Sequence, residues 1–253
     1  MASSSRSSIW RLATARAISD TGSWAAAVAL ALEIYARTGS TVWLSMGFLF
    51  TKCPAALLSP VAGIIADRLN RKRVMIGCDL LGAACYVVMA FTGEPAMLIA
   101  IGALASVLHV PFGPSSSASV PNLVPEEELS WANGIVAGAG GVGTLLGPAL
   151  AGTLAAFFHG AGPVFSINAA SFIVSALLVL SIGGRFSSTE SRPEPATESR
   201  GAQAWAGWRY LSHRPVLLIL TIVGAVTFLA AEIGWVLIFH SFTASEQDRS
   251  DTG

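Results

Sequence analysis

Charge is scarce in this sequence. Only 12% of its 253 residues are Asp, Glu, Lys or Arg, against roughly 25% in an ordinary soluble domain. The fifteen bases and fifteen acids cancel, so no bulk field draws the chain to nucleic acid. Cysteine is scarce too. Cys53, Cys78 and Cys85 all fall inside apolar runs, without the paired spacing of a metal site, and a disulfide framework is not expected. Cys78 and Cys85 lie seven apart on one helix face and read as small buried packing residues. Catalytic patterns are missing as well: there is no Ser/His/Asp spacing, no phosphate-binding loop, and His109 has no second histidine four residues away. No enzyme, cofactor or metal centre is expected.

What the chain has is hydrocarbon. Hydrophobic residues make up 53%, the mean hydropathy is +0.63, and the apolar residues come in runs. A membrane span needs roughly 20 mostly apolar residues. Seven stretches qualify: 17–37, 42–66, 74–92, 96–118, 131–158, 163–183 and 215–240. Lipid offers backbone amides no partner, so each is expected to be a helix. The stretch Met1 to Arg16 is Ser- and Arg-rich, and the run behind it is longer than a signal-peptide core, so the first span is expected to stay in the membrane. Gly39-Ser40, Gly93-Glu94-Pro95 and Gly160 to Gly162 are turn signals that predict antiparallel neighbours.

Orientation follows from Lys and Arg, which favour the cytoplasm. With the N-terminus inside, Arg6, Arg11, Arg16, Arg68, Arg71, Lys72, Arg73, Arg185, Arg192, Arg200, Arg209 and Arg214 are all cytoplasmic, twelve of fifteen. Arg37 and Arg249 are outside and Lys52 lies within the second span. The expected organisation is a cytoplasmic N-terminus (1–16), a six-helix bundle (17–183), a cytoplasmic linker (184–214), a seventh helix (215–240) and a polar tail (241–253). The linker begins Ser/Pro/Glu-rich, and Trp205, Trp208 and Leu211 predict an amphipathic helix at headgroup level in its second part.

Three motifs carry a family resemblance. Between spans two and three stand Gly63, Asp67, Arg68, Arg71, Lys72 and Arg73. In span five stand Gly134, Gly143, Gly147, Pro148 and Gly152, with Gly138, Gly140 and Gly141 among them. After span four comes Pro121-Asn-Leu-Val-Pro125-Glu-Glu-Glu-Leu129, then Trp131-Ala-Asn-Gly134, where acids suit the start of a helix. With these the chain resembles the major facilitator superfamily (MFS), and within it the drug- and siderophore-efflux permeases. The resemblance implies an all-α polytopic membrane protein of the cell (plasma or inner) membrane, built as the six-helix N-terminal half of that fold plus one further transmembrane helix. It implies proton-coupled export of a hydrophobic drug-like or siderophore-like molecule by alternating access. The partners it implies are a small-molecule substrate, protons and the lipid bilayer. The first motif would then be a conformational latch, with Asp67 pairing to an Arg across the bundle interface and Gly63 admitting a neighbouring helix. The second would be the exporter glycine pattern, although Ala151 precedes Gly152 where the family places glycines together. Asn70 stands where the family has Gly, and Asn can supply the left-handed conformation expected there. The family has twelve helices and nothing resembling an eighth span follows Phe242, so a truncated, possibly inactive chain is the expectation. The alternative is a non-transporting seven-helix scaffold or receptor-like protein.

Charge inside a bilayer costs on the order of 3 kcal/mol on insertion scales, so each such group needs a reason. Asp20, Glu33, His109 and Glu232 fall on spans one, four and seven, which line the central cavity in the family resembled, and Lys52 falls on span two. By helical rise, Glu33 lies roughly 9 Å outward and Asp20 roughly 10 Å inward of the middle of span one. Glu33 is therefore the nearer partner for Lys52, or else snorkels to the surface. Asp20 is a lone titrating group or a helix-entry carboxylate. Asp79 is expected to pair with the basic turn, and His109 is a packing histidine or a proton carrier. Trp24 could stack a flat substrate, and Trp43 suits interface anchoring.

Overall fold

An apolar run must close its own hydrogen bonds, and every described run does so as a helix. The computed structural model describes residues 2–158 and 160–183 together with Phe186, Leu218, Ile219 and Val223. The chain divides into two units, Met1–Ser188 and Thr189–Gly253, and the account below is of the first. It consists of α1 (Ala2–Thr38), α2 (Thr41–Arg68), α3 (Arg71–Phe91), α4 (Pro95–His109), α5 (Phe112–Leu123), a 3-10 turn (Glu126–Glu128), α6 (Leu129–Phe157) and α7 (Gly162–Ser181). Among the described residues there is no strand, as the all-α expectation requires. The seventh span (of which only Leu218, Ile219 and Val223 are described), Glu232, the linker helix and the tail lie outside the described residues.

The turns fall where glycine and proline predict them. Gly39, with φ +59°, reverses the chain after α1, and Gly160, with φ +91°, does so after α6. Pro95 opens α4 at its first turn, where its missing N–H costs nothing. The fourth span is cut into two helices. Val110 and Pro111 separate α4 from α5, because Pro111 cannot donate to the preceding turn.

Short connections do not mean extensive packing here. Consecutive α6 and α7 barely touch, and the broadest contacts are α1 with α6, α1 with α7, and α3 with α7. Expecting sequence neighbours to be packing neighbours therefore fails for this pair. α1 is the central helix, with no exposed residue from Ala15 to Ala31. This explains its composition. Among the described residues, five stretches are long and apolar enough to cross a membrane: Thr41–Ser59, Arg71–Phe91, Pro95–Leu123, Glu126–Leu154 and Gly162–Ser181. α1 is not among them, because a helix surrounded by protein carries Ala, Gly, Ser, Thr and charged residues in place of Leu and Ile. Small residues allow helices to approach where lipid supplies no hydrophobic force between them.

Two large apolar clusters, and a small one of Ala83, Ala169 and Phe172, fill the bundle. One gathers Ile9, Leu12, Met75, Phe112, Val136 and Val179. The other gathers Ala26, Leu30, Met89, Leu98, Val164 and Phe165. Along α1, α3 and the α4–α5 span, the stretch between the two clusters contains Ser19, Asp79 and His109. The buried carboxylate and its neighbours thus form a polar layer between two apolar ones.

Arginines and a lysine close one end. Arg11 donates to the Ser181 carbonyl at 2.9 Å, and Arg6 pairs with Glu128 at 2.9 Å beside Trp131. Lys72 donates to the carbonyls of Leu180 (2.8 Å) and Ile182 (2.7 Å), capping α7 where helical carbonyls run out of partners. Arg71 donates to the carbonyls of Ala66 (3.2 Å), Ala118 (2.9 Å) and Phe186 (3.3 Å).

Candidate functional site

The basic turn is built differently from the sequence expectation in two respects. Asn70 is not left-handed. Its backbone is extended, at φ −64° and ψ 108°, and its Oδ1 accepts from the Arg73 amide at 3.2 Å, so it is the N-cap of α3. An Asn side chain can satisfy a free helix-start amide, which a Gly cannot. Gly63 is also not a point of close approach, since a methyl group there meets no atom within 4 Å. Asp67 and Arg68 are exposed, and among the described residues Asp67 makes no ion pair. Arg71 and Lys72 instead tie the turn to α5, to α7 and to Phe186.

The glycine-rich span divides sharply. A β-carbon at Gly143 would lie 2.6 Å from Asp20 Cβ and 2.9 Å from the backbone of Asp20 and Thr21. One at Gly147 would strike Trp24 Cβ and come within 2.9 Å of the Thr21 carbonyl oxygen. At Gly140 it would sit 3.2 Å from Arg16 Nε and 3.3 Å from Asp20 Oδ2. These three glycines form a seam along which α6 lies against α1. Gly134, Gly138, Gly141 and Gly152 face open space. Pro148 stands within α6, which continues through it to Phe157.

Several candidate charges have partners that depth alone did not predict. Glu33 is held by Arg37 one turn on and accepts from the Ala161 amide at 2.9 Å, pinning the turn between α6 and α7. Lys52 does not sit on it; its ammonium lies over the Trp24 ring, 4.5 Å from the centroid. Asp20 is not lone, because Arg16 pairs with it at 3.4 Å. Trp43 is partly exposed, as an interface anchor would be.

Asp79 brings the largest correction. It does not reach the basic turn. Its side chain is wholly buried, Ser19 Oγ donates to its Oδ1 at 3.3 Å, and His109 Nε2 stands 3.7 Å from the same oxygen. Ser19 Oγ is also 3.2 Å from His109 Nε2. Its other oxygen, Oδ2, has no hydrogen-bond partner among the described residues. The imidazole lies against Phe112 (centroids 4.9 Å apart, planes 14° apart) and Phe172 (5.1 Å, 35°). Sequence reasoning placed His109 among the candidates and missed Ser19, Phe112 and Phe172. The available signal was Asp79 itself, the one charged residue between Arg73 and Phe91.

With this geometry in view, the comparisons are informative. A family profile described as Major Facilitator Superfamily matches residues 12–249. The chain belongs to the major facilitator superfamily. It is a multi-pass membrane protein of that family, whose members are transporters rather than enzymes. Over 239 residues it is 26% identical to the uncharacterized MFS-type transporter YfiS of Bacillus subtilis (strain 168), covering 92% of this chain and 57% of that protein. It is 33% identical over 132 residues to macrolide efflux protein A of Streptococcus pyogenes, covering 50% of this chain and 33% of the relative. It is 32% identical over 149 residues to multidrug resistance protein MdtG of Citrobacter koseri, covering 59% and 36%. The chain thus spans from a third to just over half of the length of these curated relatives.

Proposed function

We propose that this MFS chain works in the cell membrane as part of a secondary active exporter, moving a hydrophobic drug-like or siderophore-like molecule outward against inward proton flow. Two of its relatives are named for macrolide efflux and multidrug resistance, which supports the export direction and the substrate class. The structural observation that carries the reading is the glycine seam. Gly140, Gly143 and Gly147 lay the α6 backbone against Arg16, Asp20, Thr21 and Trp24, putting the exporter pattern in direct contact with the ionisable stretch of α1. Alternating access needs a second bundle facing the first, and the described residues hold one.

The test is ethidium accumulation in everted vesicles bearing this protein and an imposed acid-inside gradient. Ethidium is expected to accumulate and to leave when nigericin collapses the gradient. Accumulation indifferent to nigericin would remove the antiport. Absence of flux together with specific capture of one partner protein would favour the scaffold reading.

We further propose a cytoplasmic N-terminus, supported by the arginines clustered on the N-terminal, α2–α3 and linker segments. In a variant lacking the three native cysteines, Ser40→Cys is expected to react with an impermeant maleimide on intact cells, and Leu69→Cys only after permeabilisation. The reverse pattern inverts the topology.

A further inference from the structure

We propose that Asp79 and His109, bridged by Ser19, form the buried site that binds the coupling proton; this rests on the proton-antiport reading above. Four observations converge on it. The carboxylate is fully buried, and among the described residues His109 is the only basic group within 4 Å of it. In a bundle embedded in hydrocarbon, an uncompensated charge at such a place is strongly disfavoured. With a neutral imidazole the pair carries one net negative charge; with one added proton it carries none. Second, His109 is the last residue of α4, where the span is broken at Val110 and Pro111. A helix C-terminus favours a positive group, and a broken helix exposes carbonyls that an unbroken one hides. Third, Phe112 and Phe172 flank the ring, and aromatic faces attract a cation while excluding water. Fourth, the pair lies between the two apolar clusters along α1, α3 and the α4–α5 span, so that water on either side reaches it only where one cluster parts.

The surrounding charges are few. α1 contributes Arg16 and Asp20, which pair with each other, and α3 contributes the neighbouring Cys78 thiol. On α2, Lys52 lies over Trp24, and Asp67 and Arg68 stand exposed at the helix end. α5, α6 and α7 contain no charged residue. The opposite charges of Arg16 and Asp20 offset each other beside the pair.

Proton bookkeeping is simple. A proton from water adds to the imidazole or to a carboxyl oxygen of Asp79. With the proton on Nε2, that nitrogen donates to Ser19 Oγ, whose hydroxyl donates to Asp79 Oδ1. Release returns the proton to water on the other side. Only N–H and O–H bonds form or break.

The test is infrared difference spectroscopy against pH on the full chain in lipid nanodiscs, with isotope-labelled histidine and with His109→Gln to assign the ring. In the wild type, the His109 ring and a carboxyl band are expected to change together in one transition. In Asp79→Asn the carboxyl change disappears and the ring transition moves by about one pH unit or more, the effect of losing an opposite charge at this range. Asp79→Glu restores joint behaviour. In everted vesicles, Asp79→Asn loses gradient-driven ethidium accumulation. Independent ring and carboxyl transitions in the wild type, a measurement that needs no variant to fold, overturn the proposal. So does gradient-driven accumulation by Asp79→Asn equal to that of the wild type. A joint transition in a wild type whose ethidium flux ignores the gradient defeats the antiport reading, and with it the coupling role of the pair.

Discussion

Gly147→Ala is expected to destabilise the bundle by about 3 kcal/mol, at the upper end of the usual cost of overpacking. The sign is the informative part. Alanine is the better helix former by about 1 kcal/mol, so propensity alone predicts a gain. The added methyl, however, meets Trp24 Cβ, the Thr21 carbonyl oxygen at 2.9 Å and the Ala25 amide nitrogen at 3.0 Å. Two of these are backbone atoms of the central helix and cannot rotate away. Relief requires α6 to move off α1, and the seam opens along Gly143 and Gly140 as well. Gly134→Ala and Gly152→Ala, where a methyl meets nothing within 4 Å, are expected to be neutral or to gain up to about 1 kcal/mol. The measurement is the midpoint of thermal loss of the monodisperse peak in detergent. A Gly147→Ala midpoint matching that of Gly152→Ala would falsify the seam.

Arg71→Ala is expected to cost about 3 kcal/mol, on the scale of charge-assisted bonds whose acceptors are left partly buried. One guanidinium serves the carbonyls of Ala66, Ala118 and Phe186, joining the end of α2, the broken span and the segment after α7. Arg71→Lys is expected to recover less than half of the loss, because an ammonium is a point charge without the planar fork. Lys72→Ala is expected to do less damage, since its bond to the Leu180 carbonyl is exposed and water can replace it. The same thermal assay ranks the three. Equal midpoints for Arg71→Ala and the wild type would reduce the basic turn to a topological signal alone.

How much of this was legible in the sequence depended on whether the cause was local. Run length, Gly39, Gly160 and Pro95 fix helices and turns through near neighbours in the chain, and the structure places the helices accordingly. Membership of the family was legible in the basic turn and in the glycine-rich span. What failed was facing. Seven glycines in α6 look equivalent along the chain, yet only three meet another helix, because a helix shows each neighbour less than half its circumference. Depth paired Glu33 with Lys52, but Lys52 lies over Trp24, and Arg37, a single turn from Glu33, holds the carboxylate. Asp79 was set aside because its position along α3 lies near the basic turn. Its side chain points instead across the bundle to Ser19 and His109, separated from it by 60 and 30 positions in the chain. The break after His109 was written in Pro111, but its importance depended on the aromatic rings that the fold brings beside it.

That break makes the fourth span an articulated rod. Its α5 segment is moored by Arg71 at Ala118 and by Arg16 at Ser117, whereas α4 is seated on apolar surface through Leu98 and Ile99. Polar moorings have fixed lengths and directions, and apolar seating tolerates sliding. A swing about Pro111 would draw the imidazole against its contacts with Ser19, Phe112 and Phe172, while the moored arm keeps its register.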